Sequence, residues 1–280
     1  MIFPFQRRFL ALATERSPLC VGIDPSAEAL KGWGLRDDVA GLRAFCERLV
    51  EACAPLVAAM KPQGAFFERH GPDGMAVLRQ TVTAAKAHGT LVIIDAKPGD
   101  IGSTAVAYGE AYLGPNSPYG GDALTLSPYL GLGSLAPILE IARREGAGAF
   151  VVVRSSNPEG TALQRAKLPD GRSVAEHLAD EISALNRAEP ADGIGGIGAV
   201  LGATQGVEAA ALAERLPHSL LLVPGIGAQG ATIADLRRDF GRHMARAIPS
   251  VSRGVARAGP AAADLRTATQ RIIAEIRALP

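Results

Sequence analysis

The stretch that decides the fold is LVIIDAKPGDI, at residues 91–101. Its first four residues are apolar and mostly β-branched, which is typical of a strand buried on both faces of a parallel sheet. Residues i and i+2 of a strand share a face, so a strand reaching Lys97 would project Asp95 and Lys97 together, with Asp100 in the following loop. Burying charges is costly unless they are paired. This exit predicts a catalytic ammonium kept charged by its flanking carboxylates, with a structural ion cluster as the alternative.

Strand-like runs alternate with longer amphipathic segments along all 280 residues, which is the pattern of parallel strands joined by helical crossovers. The predicted strands are Leu19–Ile23, Leu56–Met60, Leu91–Asp95, Ala123–Leu126, Ala149–Val153, Ala199–Leu201, Leu220–Val223 and Ile248–Val251. The predicted helices are Val39–Ala54, Met75–His88, Leu135–Glu145, Val174–Asn186, Val207–Arg215, Ala231–Arg246 and Ala261–Leu279. Eight strands favour a closed barrel, and such barrels commonly have about 250 residues. We therefore predict an α/β protein with one domain at 1–280, a (β/α)8 TIM barrel.

Composition narrows the class of partners. The 29 basic residues are balanced by 28 acidic ones, which argues against nucleic-acid binding.

Cys20, Cys46 and Cys53 lack a Cys-x-x-Cys spacing, so neither a disulfide framework nor a metal site is expected, and a cytoplasmic location fits best. The apolar patch at Phe9–Ala13 is too short for a signal peptide, and no run approaches the roughly 20 apolar residues that cross a bilayer.

Polar residues follow the predicted strands where a barrel enzyme has its active site. Asp24 follows the first strand, Lys61 the second and Ser127 the fourth, while Asp95 and Lys97 end the third. Barrel enzymes assemble their chemistry from these C-terminal strand ends. Each residue alone could be a strand cap, but the complete set predicts an active site.

A phosphate site is predicted after the last two strands. The seventh strand leads into PGIGAQG at residues 224–230, and the eighth leads into Ser252-Arg253-Gly254. Glycines allow backbone N–H groups to approach phosphate oxygens, and these loops are the recurring phosphate site of the barrel. Arg253 adds a planar fork for bidentate contact.

These residues resemble the orotidine 5′-phosphate decarboxylase family. The family's Asp-x-Lys-x-x-Asp-Ile signature stands here at residues 95–101, and Asp24, Lys61, Ser127, the 224–230 loop and Arg253 follow in matching order. The run KPQGAFFE at residues 61–68 is similar to the longer bacterial branch of the family.

The resemblance implies a cofactor-free decarboxylation of orotidine 5′-monophosphate (OMP) to UMP, the last step of de novo pyrimidine biosynthesis. In this scheme Lys97 delivers a proton to C6 of the pyrimidine, within a charge network of Lys61, Asp95, Lys97 and Asp100. Asp100 and Thr104 would reach the neighbouring subunit's site, which implies a homodimer. The remaining implied contacts are Asp24 and Lys61 to the ribose, Ser127 to the pyrimidine edge, and Gly225, Gly227, Gln229 and Arg253 to the phosphate.

One departure from the family concerns closure over the phosphate. Compact members have a long mobile loop after the seventh strand, whereas here only Ala228–Thr232 separates the glycines from the next predicted helix. The polar, turn-rich stretch from Arg154 to Gly171 is either a replacement lid or an ordinary surface insertion.

Three other functions remain open from the sequence. The first is a metal-dependent sugar-phosphate decarboxylase or aldolase on the same barrel. The second is a Schiff-base aldolase, although flanking carboxylates oppose the neutral amine that it needs. The third is a non-catalytic nucleotide-binding barrel. The full set of charged residues at the strand ends argues against it.

Overall fold

Eight parallel strands close into a barrel in which each strand pairs with the next and the last pairs with the first. This is a computed structural model, and it describes residues 3–187, 193–227 and 230–278. The strands are β1 Cys20–Ile23, β2 Ala59–Pro62, β3 Leu91–Ile94, β4 Ala123–Leu126, β5 Gly148–Arg154, β6 Ile197–Leu201, β7 Leu221–Val223 and β8 Ala247–Val251. The predicted (β/α)8 barrel is confirmed.

The helices surround the barrel. They are α1 Phe5–Glu15, α2 Ala27–Gly32, α3 Val39–Cys53, α4 Ala65–Glu68, α5 Gly71–Ala87, α6 Gly102–Tyr112, α7 Ala136–Glu145, α8 Thr161–Gln164, α9 Val174–Arg187, α10 Gly206–Arg215, α11 Ile233–Phe240, α12 Arg253–Ala256 and α13 Ala262–Arg277. No helix of the described ranges is long and apolar enough to cross a membrane.

Several predicted boundaries were wrong. β2 begins at Ala59 because Ala54–Leu56 forms a 3-10 turn that continues from α3. The helix predicted at Ala231–Arg246 divides into α11 and a 3-10 turn, since the intervening Gly241 has a φ of 44°. Helices α1 and α6 were not predicted at all. In α6 the sequence GSTAVAYGEAY has glycines and no clear polar face, so its helical periodicity is weak.

Side chains of β3 alternate between the barrel interior and the helix layer. Leu91 and Ile93 belong to the interior cluster, whereas Val92 and Ile94 belong to the cluster between strands and helices. The next residue, Asp95, makes one isolated bridge to Gln63 and is buried. Period-two alternation therefore directs the Asp95 carboxylate into the C-terminal mouth of the barrel.

Helix α1 covers the opposite, N-terminal end of the barrel. Phe5 and Phe9 are each 1% exposed, and the ring of Phe5 meets Phe150 edge-on at 5.7 Å. Arg8 forms an ion pair of 2.7 Å with the buried Asp122, whose other carboxylate oxygen accepts the N–H of Val92. With this end covered, the accessible mouth of the barrel is the one where the strands end.

Candidate active site

A cavity of about 280 Å³ opens at the C-terminal ends of the strands. The predicted residues that line it are Asp24, Lys61, Asp95, Lys97, Gly225 and Arg253. They come from five different strand ends or the loops that follow them, so the barrel alone brings them together.

A larger cleft of about 780 Å³ lies on the outside of the barrel between α7 and α9. Its walls are mostly apolar and include Leu139 and Leu185, and none of the predicted site residues lines it. The smaller cavity is therefore the candidate active site, because convergent charged groups rather than volume indicate chemistry.

Asp95 bridges two ammonium groups inside the cavity. Its Oδ2 lies 2.5 Å from Nζ of Lys61, and its Oδ1 lies 2.5 Å from Nζ of Lys97. The hydroxyl of Thr125 on β4 donates a third hydrogen bond, of 2.8 Å, to Oδ1. Both oxygens of Asp95 are thus fully engaged, and the two cations are held at fixed positions.

The charges in this cluster support each other. Burial is the largest influence on Asp95 and opposes its charge, but the ammoniums of Lys61 and Lys97 outweigh it and hold the pKa of Asp95 well below its usual range. Burial likewise opposes the charge of Lys61. The attraction of the Asp95 and Asp24 carboxylates outweighs this effect and raises the pKa of Lys61. The ion pair of Lys61 and Asp95 is therefore charged at neutral pH.

β3 ends at Ile94, one residue before the predicted end at Asp95, and Lys97 reaches the cluster by a backbone turn and not as part of a strand. Its φ is 52°, the only positive φ of a non-glycine residue in the described ranges. A left-handed conformation costs a side-chain-bearing residue about 1–3 kcal/mol and is found where the surroundings impose it. The side chain of Lys97 is 41% exposed, compared with 9% for Lys61. Of the two ammoniums, that of Lys97 is the one presented to a ligand.

Ser127 supports this turn from behind. Its backbone N–H donates to the carbonyl of Pro98 at 3.0 Å, and a Cβ on Gly99 would lie 2.3 Å from the carbonyl oxygen of Ser127. The turn therefore packs directly on the exit of β4, and only glycine fits at position 99. Ser127 does not line the cavity.

Asp100 and Thr104 also lie outside the cavity of their own chain. The Oδ1 of Asp100 accepts the N–H of Ile101 at 2.8 Å, and Thr104 is exposed in the first turn of α6. Within one chain the predicted charge network therefore contains three residues, Lys61, Asp95 and Lys97, and Asp100 is not part of it.

The cavity wall contains polar groups that have no partner among the described residues. Arg253 is exposed, and its guanidinium has no ion-pair partner in the part of the chain that the structure describes. The buried atoms Asp24 Oδ1 and Ser252 Oγ likewise lack a hydrogen-bond partner. Such buried atoms normally have a partner, so a bound ligand is the natural one here.

The glycine loop after β7 contributes less than predicted. Gly225, with a φ of 105°, lines the cavity. Gly227 does not line it, and its N–H donates a hydrogen bond to the carbonyl of Ala231 at 2.7 Å. Gln229 lies outside the described residues.

Several residues of the cavity wall were not among the predicted site residues, although three of them lie in the stretch from Arg154 to Gly171 that was predicted to be a lid or a surface insertion. They are Gln63, Thr125, Ser155, Ser156, Asn157 and Ser250. The three consecutive residues 155–157 follow β5 directly, so the rule of polar residues at strand ends, applied to the fifth strand, could have found them. Tyr129, after β4, is 78% exposed.

Other chemistries find little support among the described residues. Burial raises the pKa of the Cys20 thiol to about 12, so it is not a thiolate at neutral pH. No group of three or more His, Cys, Asp or Glu side chains in the described ranges converges as a metal site.

Comparisons with known proteins show the family to which the chain belongs. A sequence model of the orotidine 5′-phosphate decarboxylase / HUMPS family matches residues 17–268. The chain is 52% identical to an orotidine 5′-phosphate decarboxylase of Myxococcus xanthus, covering 98% of this chain and 96% of that protein. A crystal structure from Streptomyces avermitilis with the same assignment has a TM-score of 0.93 at 51% identity, covering 99% and 96% of the two chains. The structure of the Leishmania donovani OMP decarboxylase has a TM-score of 0.79 at 33% identity, covering 98% and 97%.

Proposed function

Because the chain belongs to the orotidine 5′-phosphate decarboxylase / HUMPS family, we propose that it converts OMP into UMP and carbon dioxide, with Lys97 as the proton donor. The single observation that carries the proton-donor role is the partly exposed ammonium of Lys97, held 2.5 Å from Asp95 in a cavity lined by the charged strand ends.

In the proposed mechanism, the charged side chains of Asp95 and Lys97 drive the reaction. A substrate carboxylate next to Asp95 meets like-charge repulsion, which disappears as carbon dioxide leaves. The C6–carboxylate bond breaks, and its electron pair stays on C6, where the ammonium of Lys97 stabilises the developing negative charge. Nζ of Lys97 then gives its proton to C6, and the resulting amine recovers a proton from solvent. No external electron sink is needed in this sequence of steps.

Other residues of the cavity would bind the parts of the nucleotide that do not react. Asp24 and Lys61 would bind the ribose hydroxyls, which is supported by the unpartnered Oδ1 of Asp24 and by the position of both residues in the cavity wall. Arg253 and Gly225 form the phosphate end, and Gln229 remains assigned to the phosphate by resemblance alone. The resemblance implied that Ser127 contacts the pyrimidine edge. We assign this contact instead to the hydroxyl groups after β5, because those residues line the cavity and Ser127 does not.

We also propose a homodimer with shared sites. Asp100 and Thr104 do not line their own cavity, and exposed apolar residues occur in the segments that follow β3 and β4: Ile101, Tyr108, Tyr129 and Leu130. A second copy that covers this surface would bury them and would bring a carboxylate to a cluster that has two lysines and one aspartate. A reducing cytoplasm suits the three unpaired cysteines.

The experiment that tests the function is loss of OMP absorbance on mixing with purified protein, repeated after treatment with a chelator. Turnover that survives the chelator excludes the metal-dependent sugar-phosphate reactions. Binding of UMP without any turnover of OMP would instead identify a non-catalytic nucleotide-binding barrel. Borohydride trapping of a carbonyl substrate on Lys97 would identify an aldolase.

A further inference from the structure

Residues 155–173, which we name the β5 segment, connect β5 to α9 and form one wall of the cavity. The segment begins with Ser155, Ser156 and Asn157, which line the cavity, and continues through a 3-10 turn at Pro158–Gly160 and the short helix α8. Its shape is determined by contacts on the side away from the cavity.

Gln164, at the end of α8, ties the segment back to its first residue. Its Oε1 accepts hydrogen bonds from the N–H of Ser155 at 3.1 Å and from Nη1 of Arg154 at 2.9 Å. Its Nε2 donates to the hydroxyl of Ser155 at 2.9 Å. One amide side chain therefore closes the loop that carries the cavity-lining residues.

Arg154 supports the same loop from the end of β5. It is 1% exposed and does not line the cavity. Nη1 donates to the carbonyl of Ser155 at 3.0 Å, and Nη2 donates to the hydroxyl of Thr161 at 3.2 Å. Its Nε lies 3.1 Å from Oε1 of Glu208 on α10, which neutralises the buried charge. The guanidinium thus joins the strand end, the segment and the neighbouring helix.

Ser156 is held through its backbone, which leaves its hydroxyl for a ligand. Its carbonyl accepts from the hydroxyl of Thr204 at 3.1 Å and from Nε2 of Gln205 at 3.3 Å. The backbone of Gly202 approaches so closely that a Cβ there would lie 2.7 Å from the nitrogen of Ser156. The position of Ser156 relative to the cavity is therefore set by the loop after β6 together with the contacts of Arg154 and Gln164.

We propose that Arg154 and Gln164 are positioning residues, which hold the start of the β5 segment so that the hydroxyl of Ser156 contacts the polar edge of the bound base. The inference rests on the proposed function. Neither residue touches the reacting atoms, so loss of either should weaken nucleotide binding much more than it slows the chemical step.

The test compares Gln164→Ala with Gln164→Glu. Gln164→Ala should raise the KM for OMP and the Kd for UMP roughly tenfold, the effect of one or two lost hydrogen bonds, while kcat changes less than about threefold. Gln164→Glu keeps an acceptor for Arg154 and for the N–H of Ser155, so it should restore both constants to within about threefold of the wild type. The matched control is Gln80→Ala, because Gln80 also accepts from an arginine, Arg43, but on the outer surface.

A second measurement detects the segment itself. Trypsin can cleave after Arg165 and Lys167, both exposed within the β5 segment. Gln164→Ala should be cleaved there several-fold faster than the wild type, and UMP should protect it less, whereas Gln80→Ala should behave as the wild type does.

Two results would overturn the inference: unchanged KM and UMP affinity in Gln164→Ala, or a fall in kcat with KM unchanged. Equal rates of tryptic cleavage in Gln164→Ala and wild type would also contradict it. A wild-type protein that does not turn over OMP would instead overturn the proposed function, so the two failures are distinguishable.

Discussion

The ammonium of Lys97 lies 2.5 Å from Oδ1 of Asp95, although the strand that precedes both residues ends at Ile94. The left-handed backbone at Lys97 produces this contact, and the packing of Gly99 against Ser127 supports it. A strained residue that presents a partly exposed charge to a buried carboxylate is typical of a site that is organised for chemistry and not for stability.

Lys97→Ala should abolish nearly all decarboxylation, by about a thousandfold or more, because both the proton donor and the charge that stabilises C6 are lost. UMP binding should remain measurable by calorimetry, since the ribose and phosphate contacts stay in place. Turnover above a small fraction of the wild-type rate would remove Lys97 from the role of proton donor.

Asp95→Asn should destabilise the protein by about 3–5 kcal/mol, because it leaves the buried ammonium of Lys61 without its partner. Urea unfolding at pH 7 measures this. Asp170→Asn, which removes an exposed ion pair with Arg172, is the control and should leave the free energy of unfolding unchanged. Equal stability of the Asp95 variant and wild type would show that the cluster tolerates loss of its carboxylate.

The same substitution should change the acid dependence of stability. The folded pKa of Asp95 lies well below its ordinary value of 3.8, so its stabilising effect is complete above that value and is lost as the pH falls towards the folded pKa. The difference in unfolding free energy between wild type and Asp95→Asn should therefore be constant at neutral pH and shrink below about pH 4. A difference that grew on acidification would contradict the assigned direction.

Arg253→Ala should lower kcat/KM by about 3 kcal/mol, roughly a hundredfold, because it removes a charge-assisted contact to a phosphate remote from the bond that breaks. When the substrate lacks its phosphate, added phosphite dianion should partly restore turnover by the wild-type protein. The same addition should restore less turnover by the Arg253→Ala variant. Absence of any phosphite effect in the wild type would count against the anion site.

Lys97→Ala and Asp100→Ala should complement each other when the two inactive variants are mixed and allowed to exchange subunits. Each mixed dimer would have one site with both lesions and one with neither, provided that Asp100 acts in the partner's site. About half of the dimers would be mixed, so activity should approach roughly a quarter of the wild-type value. Mixed dimers that form by mass spectrometry but remain inactive would place Asp100 in the site of its own chain.

The sequence by itself determined the barrel and the core of the site. Eight apolar runs with helical segments between them specify a closed parallel sheet, because such strands can be buried only when both faces are covered. Asp24, Lys61 and Asp95 could be placed in one cavity because strand order and strand ends are local properties of the chain, and a parallel barrel brings all C-terminal ends to one side.

Tertiary structure alone decided what depends on contacts between loops. Lys97 reaches Asp95 through a left-handed turn that the exit of β4 supports, which also explains why Ser127 lies behind the site and not in it. The residues after β5 that line the cavity begin a segment that Gln164 ties back to Arg154 and Ser155. These contacts join residues that are distant in sequence or that have irregular backbone conformations, so no periodic pattern of apolar residues predicts them. The strands, in contrast, can be recognised from the apolar pattern within a short window of sequence.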